Sequence, residues 1–160
     1  MVSHALRNEP DEYVVPTYES DYAAWAHHQA MLLRAGQLHL LDRAWIAEEL
    51  DSLGKQEFQR LESAVRLILQ HMLKWDYQPE RRSRSWTVTI SLQRDVANRQ
   101  LEENPSLKPR QQEAATAAYR AARKAASGET DLPLKSFPET CPYDWDAIMS
   151  RPFVWPGDEE

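Results

Sequence analysis

Six apolar residues, Phe58, Leu61, Val65, Ile68, Met72 and Trp75, follow one another at intervals of three, four, three, four and three residues. At the helical turn of about 100° per residue this spacing keeps all six on one side. A strand, whose side chains alternate, would scatter them over both faces. The stripe predicts a helix over 55–75 whose apolar face must be covered by other elements.

The flanking sequence offers helical cover. Tyr22, Trp25, Ala26, Gln29, Leu32 and Leu33 recur at helical spacing between Ser20, an N-cap candidate, and Gly36, a C-terminal stop. They predict a first helix over 21–35. Asp42 caps a second helix carrying Ile46, Leu50 and Leu53, with Gly54 as its end or kink. Beyond Tyr77-Gln78-Pro79, which breaks the stripe-bearing helix, a fourth helix is expected over 86–103. Ser85 is its cap and Asn104-Pro105 its stop. Its Thr87-Val88-Thr89-Ile90 run is β-branched, but Trp86, Ile90, Ala97 and Leu101 continue the helical spacing and no other segment would pair with a lone strand. An alanine-rich fifth helix follows over 107–126, opened by Ser106 and stopped by Gly128; alanine is the best helix former. Residues 132–142 form a loop holding Pro133, Pro138 and Pro142, before a short helix over 144–150 and a docking tail of Phe153, Val154 and Trp155. The expected fold is all-α: an antiparallel helical bundle of four to five main helices with a proline-rich C-terminal segment packed over it.

The expected organisation is a flexible lead-in over 1–17, a single helical domain over 18–156 and an acidic tail over 157–160. A chain of 160 residues buries roughly 70% of its unfolded surface, so it needs no disulfide or metal to fold. Cys141 is the only cysteine, which excludes an internal disulfide. No apolar run resembles a signal peptide or reaches the roughly 18 residues of a membrane span. A cytoplasmic location without a membrane partner is expected. The net charge of −6 disfavours binding nucleic acid with the whole surface.

Several spaced motifs resemble one family. They are Asp21-Tyr22-Ala23-Ala24-Trp25 with Gln29 and Leu32-Leu33-Arg34-Ala35-Gly36, and Glu48-Glu49-Leu50-Asp51-Ser52-Leu53-Gly54 with Glu57. To these add His71-Met72-Leu73-Lys74-Trp75, Gln78-Pro79-Glu80, Arg84-Ser85-Trp86, Asn104-Pro105-Ser106-Leu107, Phe137-Pro138 and Cys141-Pro142-Tyr143. Over about residues 17–156 the chain is similar to the bacterial family catalogued as domain of unknown function 29. Asp51 departs from it, since the family more often has Glu there. The resemblance implies a small helical protein and brings no activity or cofactor with it.

Two groups of residues are candidates for a site. Glu57, His71 and Lys74 share an arc beside the apolar stripe, and Asp21, Gln29, Glu48 and Glu49 on the first two helices complete a polar groove. A metal site, an acid–base pair of His71 with Glu49 or Glu57, and an ion-pair network that fixes helix register are its three readings. Glu-x-x-His and His-x-x-x-His spacings are lacking and Lys74 repels a cation, so no metal ligand and no cofactor is assigned. No nucleophile or oxyanion hole stands out, and no residue is assigned as catalytic. The second group, Arg81, Arg82, Arg84 and Trp86, combines guanidinium forks with an aromatic ring and suits an anion or a partner's carboxylates. Six tryptophans are many for this length, and Trp45, off the apolar edge of its helix, is the one expected to be exposed. The leading expectation is a non-enzymatic protein–protein interaction module whose partner is another protein. The alternatives are a metal- or small-ligand-binding enzyme using the His/Glu cluster, and nucleic-acid binding through the arginine connector.

Overall fold

A computed structural model describes residues 14–155. The acidic tail and most of the lead-in lie outside the described residues. Five α-helices follow in order: α1 (Tyr22–Arg34), α2 (Arg43–Tyr77), α3 (Arg84–Glu103), α4 (Gln111–Thr130) and α5 (Trp145–Ser150). Short 3₁₀ segments lie at Leu38–Leu40, Pro79–Arg81, Pro105–Arg110 and Leu134–Ser136, and there is no strand among the described residues. The fold is the all-α bundle that the periodicity implies. The chain groups into two compact units, divided between Asp51 and Ser52.

In the N-terminal unit, α1 starts at Asp21 and not at Ser20. The Asp21 carboxylate accepts from the Ala24 N–H at 3.0 Å, the bond an N-cap residue makes. At the other end Gly36 adopts φ +68°. There the Gln37 N–H reaches Leu32 O at 2.9 Å and the Gly36 N–H reaches Leu33 O at 3.1 Å, closing a Schellman motif. Gln29 accepts from the backbone N–H of Asp42 at 2.9 Å, tying α1 to the residue before α2.

The second and third expected helices are a single helix, α2. Gly54 lies inside it without a positive φ. Glycine permits a break but does not impose one, and the flanking residues are helix formers. In the C-terminal unit the stripe behaves as its spacing requires. Leu61, Val65, Ile68 and Met72 are fully buried, Trp75 is buried and Phe58 is half-buried, and Leu69 and Leu73, which the stripe did not include, are fully buried beside them. Ile90, Ala97 and Leu101 of α3 cover them, with Ala114, Ala115, Ala118, Ala122 and Ala126 of α4. The alanine face lets α4 approach closely, as small side chains at a helix contact do.

The Thr87–Ile90 run is helical. Thr87 and Thr89 donate their hydroxyls to the carbonyls of Arg84 (2.8 Å) and Ser85 (2.9 Å), so these hydroxyls are satisfied inside the helix. The helix begins two residues earlier than its pattern suggests, with Ser83 and not Ser85 at the N-cap position. α4 begins after a 3₁₀ turn and runs past Gly128 to Thr130, ending where Asp131 takes φ +59°. The buried Gln78 donates to the Thr130 carbonyl at 3.1 Å, supplying one of the partners that the last turn of a helix lacks.

The proline-rich segment packs on the same core through Phe137, and α5 does so through Ile148, both buried. Gly54→Ala is expected to stabilise α2 by about 0.5–1 kcal/mol, because a Cβ there meets no atom within 4 Å. Urea titration followed by helical ellipticity checks this; a midpoint that does not rise contradicts it.

Candidate functional site

Four of the expected groove residues belong to the N-terminal unit. Asp21 is the cap of α1 and Gln29 holds the entry to α2, while Glu48 is exposed. Glu49 is enclosed by phenols: Tyr18 donates to its Oε1 at 2.6 Å and Tyr22 to its Oε2 at 2.9 Å. Donation to this carboxylate pushes the Tyr18 phenol up to about 12 and raises Tyr22 as well. Tyr18 also stacks on Trp45, with centroids 3.9 Å apart, and meets Trp25 edge-on at 5.0 Å. Trp45 is therefore half-buried, contrary to the exposure expected of it. Its angular position took no account of Tyr18, which lies outside the helix and covers it. Trp25 Nε1 and His28 Nδ1 are buried without a partner among the described residues.

Of the remaining three, Glu57 does not meet the other two, whereas His71 and Lys74 lie one turn apart and both feel the charge of Glu129. All three share an arc by angle, but fourteen residues of helix separate Glu57 from His71 by about 21 Å. Glu57 accepts from Gln100 of α3 and pairs with Arg60 at 2.6 Å. The bond from Gln100 is the largest influence on its carboxyl and helps to hold it below the ordinary value. Lys74 is buried, and its Nζ lies 2.6 Å from Glu129 Oε2 and 4.5 Å from the centre of the Trp86 ring. Gln70 donates to the other Glu129 oxygen at 2.7 Å. His71 is not bonded to a carboxylate: its Nδ1 donates to Leu67 O at 2.9 Å, and burial lowers its pKa. The arc is thus two separate polar contacts that join α2 to α3 and to α4. No three His, Cys, Asp or Glu converge as a metal set among the described residues.

The arginine connector is partly consumed by the fold. Arg82 donates its Nε to Trp75 O at 2.9 Å and lies over the Trp75 ring at 4.8 Å. Trp86 is the half-buried ring beneath Lys74. Arg81 and Arg84 are exposed.

Two features were missed by the sequence reading. The first is a carboxylate hub at Asp76. Arg151 donates to both of its oxygens, at 2.6 and 2.8 Å, and Tyr143 donates at 2.6 Å. Burial alone would raise the Asp76 carboxyl, but the bonds from Arg151 and Tyr143 outweigh it and hold the pKa below the ordinary value. The hub fastens the C-terminal segment to the end of α2. The second is a cleft of about 680 Å³ between α4 and residues 134–141, lined by Arg120, Arg123 and Lys124. The excess of basic residues between Lys108 and Lys124 was its visible signal. The opposite wall, far along the chain, was not visible.

The family described as Domain of unknown function DUF29 matches residues 17–154. No curated protein and no solved structure matches the chain.

The hub gives a pH dependence with a definite sign. A carboxyl held below its unfolded value contributes stability at neutral pH and loses it on acidification. Stability of the C-terminal unit should therefore fall as pH drops through and below about 4. Glu57, Glu113 and Glu129 are held low as well, so Asp76→Ala should reduce that slope without abolishing it, and should cost about 2 kcal/mol at neutral pH, since it strands a guanidinium and a phenol. Urea titrations of both proteins across the acid range test this; parallel pH profiles would contradict it.

Proposed function

We propose that this chain, which belongs to the DUF29 family, is a non-enzymatic protein–protein interaction module that docks a partner through its N-terminal unit. The family carries no activity with it, so the reading rests on surface chemistry. The observation that carries it is the amount of large apolar side chain left in water over residues 31–50. Met31, Leu33, Leu38, Leu40 and Leu50 are each about half exposed or more, reaching 63% at Leu50. Single exposed leucines are ordinary on a protein surface, but five in one short unit favour a docking face.

The charge around them indicates the kind of partner. Residues 14–51 hold Glu19, Asp21, Asp42, Glu48, Glu49 and Asp51 against only Arg34 and Arg43. An apolar surface rimmed by lysine or arginine complements this unit. A second copy would set two acidic rims against each other. The same reading takes the protein to be cytoplasmic. No helix among the described residues is long and apolar enough to cross a membrane.

A photo-crosslinking residue placed at Leu38 or Leu50 of the full chain in cells should give adducts with a different protein. The same residue at the exposed Asn98 should give none, and Leu40→Glu should abolish the adduct at Leu38. No adduct from either apolar position, or adducts only between copies of this chain, overturns the reading.

A further inference from the structure

The cleft between α4 and residues 134–141 lies within the C-terminal unit, away in sequence from the docking residues. Its walls are fixed to each other before any ligand arrives. Tyr119 of α4 donates its hydroxyl to Pro138 O at 2.7 Å. Arg123 donates its Nε and Nη2 to the carbonyls of Leu134 and Phe137 at 2.9–3.1 Å. Those acceptors are neutral, so the charge of Arg123 is not cancelled. Arg120 and Lys124 are exposed, line the same cleft and have no carboxylate partner among the described residues. Glu139, on the facing wall, is the one acid among the lining residues. Three cations therefore face one carboxylate.

The spacing narrows the chemistry. Arg120 and Lys124 are one turn apart, about 6 Å along the helix axis. A carboxylate or a single phosphate engages one such group well, whereas two linked phosphates reach both. The volume of about 680 Å³ is far more than a bare diphosphate fills and falls within the range of sites for small organic molecules, roughly 300–1,000 Å³. The Tyr119 ring and Leu134 provide apolar wall for the remainder. Glu139 is placed to accept from a hydroxyl or amine there, and it repels a ligand whose negative charge fills the whole cleft.

We propose that this cleft binds an organic diphosphate, with its phosphates between Arg120 and Lys124 and its uncharged part against Tyr119 and Leu134. Calorimetric titration of the full chain at low ionic strength, where exposed cations are least screened, tests it with two probes. Pyrophosphate should bind saturably, and ADP more tightly than pyrophosphate. In the double variant Arg120→Ala with Lys124→Ala, whose side chains are exposed and whose folding is checked by melting temperature, pyrophosphate binding should weaken by about tenfold or more. Absence of pyrophosphate binding to the unaltered chain, or binding undiminished in the folded double variant, overturns the site. ADP binding no tighter than pyrophosphate overturns the role given to the uncharged wall.

Discussion

Leu61, Val65, Ile68, Leu69, Met72 and Leu73 are kept out of water along one helix, and the C-terminal unit is organised around that requirement. Each such side chain contributes about 1.5–3 kcal/mol on burial, so together they outweigh any polar contact in the unit. The cover that protects them also closes over polar neighbours on the same helix and just past its end, and a buried polar group without a partner is costly. Lys74, Gln70 and Gln78 answer this constraint. Glu129 receives the first two, and the last carbonyl of α4 receives the third. Burial of the stripe therefore also fixes the register of α4 against α2, because those polar partners must arrive opposite one another.

Where one periodic signal dominated, the fold was legible in the sequence. The α2 stripe and the alanine face of α4 are each read from spacing and composition, and α3 is read correctly despite its β-branched start. The boundaries were less legible, because a residue type permits a conformation without requiring it. Gly36 takes the left-handed form and stops α1, whereas Gly54 and Gly128 sit inside helices. The termination of α4 falls instead on Asp131, whose short polar side chain tolerates a positive φ.

The polar residues were harder to read, for a geometric reason. Periodicity gives an angle about a helix and says nothing of distance along it. Glu57 and Lys74 share an arc yet serve different neighbours, Gln100 and Glu129. The Asp76 hub was hidden for a different reason. Its partners Tyr143 and Arg151 lie 67 and 75 positions away in the chain, and no local pattern links them. The α4 cations were visible as a local excess of positive charge, but a cleft needs two walls, and the second is held by backbone carbonyls that carry no side-chain signature.

The stack of Tyr18 on Trp45 has an optical consequence. Rings 3.9 Å apart and 5° from parallel have electronic transitions that couple, and the pair is held in one handed arrangement by the bond from the Tyr18 hydroxyl to Glu49. Near-ultraviolet dichroism of the N-terminal unit should carry this coupling. In the C-terminal unit, Trp86 sits under the Lys74 ammonium, whose field shifts the energy of its emission. The two units thus hold chromophores in different surroundings, and a change in either one alters a signal of the intact chain without an added label.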